Sequence, residues 1–184
     1  MTKWLTTGEQ QAWRGLIHLT AQLQAVLGRQ LQDEHGISLA DYEVLGHLHD
    51  APDQRLRARD LGASLVWEQS RLSHQLARMQ RRGLVEREEC ETDRRGATFR
   101  LTPTGRAAIE QAAPGHVEAV RALVFDALSP HQVTQLAGLT GHLIHHLEDS
   151  RPTGRARQVG ATTGNHRSAA SPRNRGQGGS NSQG

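Results

Sequence analysis

Short polar side chains and arginines follow one another between about Glu68 and Arg82, opposite an apolar helix face made by Leu72, Leu76 and Met79. The residues on the polar face are Gln69, Ser70, Arg71, Ser73, His74, Gln75 and Arg78. Amides and hydroxyls near the start of a helix can bond to base edges in the DNA major groove, and arginines farther along can contact phosphates. The pattern therefore predicts a helix that reads DNA; the alternative is an ordinary solvated helix face.

Two stretches that follow this segment, residues 85–90 and 97–101, have the residue types and alternation of strands and predict a β-hairpin. The loop between them carries Asp93, Arg94 and Arg95 at its tip. A guanidinium group on a narrow tip can enter the minor groove of A·T-rich DNA, where the potential is most negative, and a neighbouring acid can hold it in position. The alternative is a charged turn that keeps an edge strand soluble.

The charge of the chain changes sign along its length. Residues 55–106 carry 12 arginines against 7 acidic residues, whereas residues 1–54 carry 3 basic against 7 acidic residues and residues 107–150 carry 1 against 5. Phosphate contacts need Lys or Arg on one surface, so a basic segment between two acidic ones indicates nucleic-acid binding; the alternative is the uneven charge that any soluble protein has. Arg57, near the start of the basic segment, is a further candidate DNA contact.

Apolar residues at helical spacing predict that most of the chain before residue 150 is helical. We expect a mainly α (α+β) fold in which Pro114-Gly115 interrupts the long helix that starts at Thr102-Pro103. The predicted helices span residues 9–34, 39–50, 58–65, 68–82 and 103–128, with a last one from residue 130 onward.

The last segment, residues 151–184, contains six arginines, no acidic residue and little that could be buried. This composition predicts a disordered tail. Its arginines could add weak, non-specific affinity for DNA, but a solvated tail without a specific role is the simpler interpretation.

The composition excludes several classes of site. The single cysteine, Cys90, allows neither an intrachain disulfide nor a cysteine-cluster metal site. His142 and His146 have the helical spacing of two zinc ligands, but no third ligand accompanies them, so we expect no metal and no cofactor. No phosphate-binding glycine loop or hydrolase motif indicates an enzyme. The chain also lacks a secretory signal and a long apolar stretch, which predicts a cytoplasmic protein.

Three short motifs in order resemble the multiple-antibiotic-resistance-regulator (MarR) family. They are the turn Gly83-Leu84-Val85 after the polar helix, the tip Asp93-Arg94-Arg95, and the helix start Leu101-Thr102-Pro103-Thr104-Gly105. Their combination and spacing are specific, and the similarity in layout covers residues 9–148. The resemblance implies a winged helix-turn-helix, with its DNA-reading lobe at residues 55–105.

The resemblance also implies a homodimer, with an interface built from residues 9–35 and 103–148. Two recognition helices would enter successive major grooves of a pseudo-palindromic operator, and Arg95, steadied by Asp93, would enter the minor groove. Most proteins of this kind repress transcription and release DNA when a small, often aromatic, ligand binds between the dimer helices and the reading lobe.

Candidate ligand contacts come from the first two helices, although core packing is the alternative for each of them. They are Trp13, Ile17, His18, Tyr42, Leu45 and His47. Two other interpretations stay open: a regulator of the same fold that senses a metal or, through Cys90, an oxidant, and a helical interaction protein that does not bind DNA.

Overall fold

Six helices and three short strands make up the computed structural model, which describes residues 2–88 and 97–150. The mainly α fold class with a small hairpin sheet is therefore confirmed. Cys90, Asp93, Arg94, Arg95 and the tail at 151–184 lie outside the described residues. In chain order the elements are α1 (Thr7–His35), α2 (Leu39–Asp50), β1 (Arg55–Arg57), α3 (Ala58–Leu65), α4 (Gln69–Arg81), β2 (Val85–Glu88), β3 (Thr98–Leu101), α5 (Pro103–Leu123) and α6 (Pro130–Asp149).

Contacts divide the chain into two units, residues 1–139 and 140–184, and the boundary falls within α6. The first unit holds the whole hydrophobic core. The second begins with the last turns of α6, whose apolar side chains are exposed.

Side-chain caps set the beginnings of the first two helices. Thr6 and Glu9 form a capping box at α1, and Ser38 and Asp41 form another at α2. Gly36 ends α1 in the left-handed conformation, at φ 66°, which a residue without a Cβ adopts at no steric cost. These local signals place the α1–α2 junction close to its predicted position.

The sheet has the order β1–β3–β2, and both pairings are antiparallel. β2 and β3 are the predicted hairpin, with Glu86 opposite Arg100. β1 was not predicted, because a strand of three residues is too short to show alternation. It pairs with β3 by placing Leu56 opposite Phe99.

The core lies between α2, α3, α4 and the start of α5. Leu72, Leu76 and Met79 of α4 are buried, as their spacing predicts, and pack with Leu45 and Leu48 of α2. The other members of this cluster are Leu31, Ile37, Val44, Leu61, Leu84, Val85, Phe99, Leu101, Ile109 and Ala112.

The predicted interruption of the fifth helix at Pro114-Gly115 is wrong, because α5 runs without a break to Leu123. Proline deprives the carbonyl of Glu110 of its helical donor, but it does not by itself end a helix. Packing on both sides of the proline keeps the helix in register: Ala112 is buried in the core, and His116 contacts Tyr42 of α2.

Gly105 lies where the start of α5 crosses the chain after α4. A Cβ atom there would be 1.9 Å from the carbonyl oxygen of Leu84. Thr102 holds this crossing together, because its hydroxyl donates to the carbonyl of Gly83 (2.6 Å) and accepts from the amide of Gly105 (3.0 Å). The glycine of the Leu-Thr-x-x-Gly motif is thus required by a contact between two backbone segments.

We expect Gly105→Ala to lower the free energy of unfolding by about 3 kcal/mol, since the backbone at Leu84 must move to admit the methyl group. Chemical denaturation measures the change. Gly46→Ala in α2 is the matched control: no atom lies within 4 Å of its Cβ position, and stability should stay equal or rise by up to about 1 kcal/mol. Equal stability of Gly105→Ala and the wild type would contradict the assigned contact.

Candidate nucleic-acid interface

Helices α3 and α4 form a helix-turn-helix joined by three residues, Val66, Trp67 and Glu68. Val66 ends α3 in the left-handed conformation, at φ 55°, which is uncommon for a β-branched residue. The amide of Trp67 then bonds to the carbonyl of Gly62 at 3.0 Å. α4 begins after Glu68 without a side-chain cap, so no side chain competes for the amide groups of its first turn.

Six candidate DNA contacts on α4 share an exposed surface that faces away from the core. They are Gln69, Ser70, Arg71, Ser73, His74 and Arg78. The hydroxyl of Ser73 donates to the carbonyl of Gln69 at 2.8 Å, which ties this side chain to its own helix.

Gln75 was predicted to lie on the same outward face, and that prediction is wrong. Gln75 is only 6% exposed, and its side-chain nitrogen donates to the carboxylate of Asp41 in α2 at 2.6 Å. The sequence held a signal for this: Gln75 follows Leu72 by three positions and precedes Met79 by four, which is the spacing of the buried face.

Asp41 is the centre of a buried polar cluster that the sequence did not reveal. The residue is 1% exposed. One carboxylate oxygen accepts from Gln75. The other accepts from the amide (2.9 Å) and hydroxyl (2.8 Å) of Ser38 and from Arg82 (2.7 Å). Arg82 also donates to the carbonyl of Gly36 at 2.7 Å, so one guanidinium joins the end of α4 to the α1–α2 junction.

Two arginines on the exposed side of α4 are held by uncharged partners. The guanidinium of Arg71 lies 4.0 Å from the ring centroid of Trp67, in a cation–π contact. Arg78 donates to the side-chain carbonyl of Gln75. Both contacts restrict the arginine side chain without neutralising it.

Two arginines of the sheet, Arg55 and Arg100, have acidic partners instead. Arg100 of β3 bonds to Glu86 at 2.6 Å and to Glu88 at 3.0 Å, and Arg55 of β1 bonds to Asp53 at 3.0 Å. Arg57, the candidate DNA contact in β1, is exposed at the strand end that leads into α3. Within residues 2–88 and 97–150, the sheet therefore contributes less uncompensated positive charge than α4 does.

A cavity of about 520 Å³ lies between α1, α2 and α5. Two of its lining residues, Tyr42 and His116, pack ring against ring, with centroids 4.2 Å apart and planes tilted by 38°. Burial lowers the pKa of His116, which favours its neutral form, and burial together with the nearby Asp50 raises the pKa of Tyr42. The lining residues are Thr20, Leu23, Gln24, Leu27, Leu39, Tyr42, Glu43, Gly46, His47, Asp50 and His116.

Two of the six candidate ligand contacts, Tyr42 and His47, line this cavity. Leu45 is instead fully buried and belongs to the hydrophobic core cluster. The other three are exposed on α1 outside the lining: Trp13, Ile17 and His18. His116, which the sequence analysis missed, completes the aromatic pair.

Within residues 2–88 and 97–150, no group of three or more His, Cys, Asp or Glu residues could hold a metal ion. His142 and His146 lie in α6, where both residues are exposed. None of the described helices is both long enough and apolar enough to cross a membrane.

Comparison with known proteins gives concordant results. The MarR_2 family model, described as "MarR family", matches residues 35–96. The repressor YetL of Bacillus subtilis, described as an HTH-type transcriptional repressor, is 29% identical over 112 residues, which span 61% of this chain and 66% of YetL. The match thus covers just under two thirds of that relative.

Two solved structures from Streptomyces coelicolor are similar over most of both chains. Sco3205, a MarR family transcriptional regulator in complex with DNA, has 38% identity and a TM-score of 0.77, over 83% of this chain and 94% of Sco3205. AbsC, also a MarR family transcriptional regulator, has 37% identity and a TM-score of 0.75, over 80% of this chain and 99% of AbsC. The chain belongs to the MarR family, whose members are DNA-binding transcriptional regulators and not enzymes.

Proposed function

We propose that the protein is a homodimeric repressor that binds a pseudo-palindromic operator and releases it when a small effector binds. The observation that carries the proposal is the divided surface of α4, with its leucines and methionine in the core and its hydroxyl, amide and arginine groups exposed. Base edges in the major groove offer partners for the exposed hydroxyl and amide groups of that polar face, and phosphates offer partners for its arginines.

Two further features support this orientation of α4 toward DNA. Arg71, stacked on Trp67, lies in the first turn of the helix, where base contacts are usually made. The first turn also has no side-chain cap, so its amide groups can approach a phosphate. The DNA complex of the similar regulator Sco3205 supports the same assignment. In this proposal Arg95, at the wing tip, enters the minor groove and Asp93 steadies it.

Exposed apolar side chains support the homodimer. On α1, Trp13, Leu16 and Ile17 are each about half exposed. Large apolar surfaces on a single chain commonly mark an interface with another chain. α6 carries the same kind of surface, made by Leu136, Leu139, Leu143, Ile144 and Leu147. A second copy of the chain would cover both helices, and two copies would present two α4 helices to a two-fold symmetric site.

The cavity between α1, α2 and α5 supports an effector site and indicates the charge of its ligand. Its rings, Tyr42 and His116, offer flat faces for an aromatic compound. Among the described residues that line it, Glu43 and Asp50 are acidic and none is Lys or Arg. Since a carboxylate ligand would find no cationic partner there, the lining favours a neutral or positively charged aromatic compound.

The DNA-binding proposal is tested by titrating the full chain against duplexes from its own promoter region and against random duplexes at physiological salt. We expect preferential binding to the promoter duplex, with two chains per site. Arg95→Ala should weaken the specific complex by about 1–3 kcal/mol, the usual scale for one reading arginine. Lys3→Ala removes the same charge before α1, outside the reading lobe and the expected dimer interface, and should change affinity far less. Equal binding to both duplexes would refute a sequence-specific regulator.

The effector proposal is tested with a panel of neutral, cationic and anionic aromatic compounds in a thermal-shift assay, followed by operator release. We expect neutral or cationic members to raise the unfolding temperature and displace DNA, and Tyr42→Ala to abolish both effects, because it removes one ring of the pair. His18→Ala, on α1 outside the lining, should leave them unchanged. A response confined to carboxylates would contradict the charge assignment.

A further inference from the structure

We propose that Asp41 and Gln75 are positioning residues for operator binding, which act through a hydrogen-bond relay of fixed polarity that ends on Arg78. The relay runs from the carboxylate of Asp41 to the amide of Gln75 and from there to the guanidinium of Arg78. The inference rests on the proposed function, since it takes the exposed side of α4 as the DNA-binding surface.

The amide of Gln75 has only one orientation that satisfies both neighbours. An ionised carboxylate can only accept hydrogen bonds, and a guanidinium can only donate them. The side-chain nitrogen of Gln75 must therefore face Asp41, and its carbonyl must face Arg78. The observed contacts have this arrangement, with the Gln75 nitrogen 2.6 Å from the Asp41 carboxylate. The charge on Asp41 thus sets the orientation of the Gln75 amide, and this orientation determines whether Arg78 meets its carbonyl or its nitrogen.

Arg82 fixes the buried end of the relay. It donates to one oxygen of Asp41 at 2.7 Å, while the other oxygen receives Gln75. Ser38 adds two donors to the oxygen that Arg82 occupies. Because both oxygens are engaged, the carboxylate cannot turn away from Gln75 without losing several bonds in a site from which water is excluded.

Arg78 is the exposed end of the relay. Arg78 lies three positions after Gln75 on α4 and donates to its side-chain carbonyl. A long side chain that is already restrained in this way loses less conformational freedom when it contacts a phosphate. The carbonyl holds the guanidinium without cancelling its charge, so the full charge remains for DNA.

The decisive variant is Asp41→Asn, measured for operator affinity over a range of salt. Asparagine can still accept from Arg82, but it turns its amide nitrogen toward Gln75. The side-chain amide of Gln75 then has to flip, which places its nitrogen against Arg78. Two hydrogen-bond donors then face each other. We expect affinity to fall by about fivefold or more and the salt dependence to lose up to about one phosphate contact. Simple charge counting predicts the opposite sign, because the variant removes one negative charge from a DNA-binding protein.

Gln75→Met, which removes the relay but leaves Asp41 and Arg82 in place, should weaken binding like Asp41→Asn. It also keeps the test valid if Asp41→Asn fails to fold, which circular dichroism would reveal.

Two controls separate the relay from general stability. Thr6→Ala weakens the cap of α1 and changes no residue that contacts Asp41, Gln75 or Arg78, so it should lower the unfolding temperature without changing the salt dependence of DNA binding. In an Arg78→Ala background, Asp41→Asn should have no further effect on operator affinity. Additive losses there would overturn the relay. Absence of operator preference in the wild type would instead overturn the proposed function.

Discussion

The carboxylate of Asp41 fixes the position of α4 relative to the two helices that precede the reading lobe. Apolar packing holds α4 against α2, but such packing is non-directional and allows small rotations and shifts. Asp41 adds directional bonds to Ser38, Gln75 and Arg82, and Arg82 extends them to the end of α1 at Gly36. A buried charge is costly unless it is paired, so the loss of any one of these partners would leave Asp41 less well compensated. In the proposed complex, the angle at which α4 meets DNA depends on these contacts.

Much of the fold could be predicted because its signals are local. The burial of Leu72, Leu76 and Met79 follows from helical spacing, and the strand after α4 follows from the change to a two-residue period. β1 could not be found in this way, since three residues carry no period and the strand exists only because β3 supplies its hydrogen bonds. The continuity of α5 through Pro114 likewise depends on packing against α2, which no local rule contains.

The same distinction between local signals and long-range contacts applies to the candidate site. Which α4 side chains are exposed could be predicted, with one exception, from the helix period alone. The exception, Gln75, has the spacing of the buried face, but a buried amide needs a polar partner, and that partner, Asp41, is 34 residues away in the sequence and has no local signal. The cavity was only partly predictable for a similar reason: Leu45 and Tyr42 lie on the same helix, three positions apart, and contacts with other helices decide which one enters the core and which one faces His116.

Among the described residues, the chemical identity of the partners that hold each arginine determines how much of its charge stays available for phosphates. Arg100 is paired with Glu86 and Glu88, so it stabilises the sheet at the expense of its attraction for phosphates. Arg71 and Arg78 are oriented by a ring and by an amide, which supply direction but no negative charge. Because a phosphate must compete with whatever already neutralises a guanidinium, neutral partners leave these two arginines both ordered and available. A net charge calculated from the sequence counts all of these arginines equally and does not detect this difference.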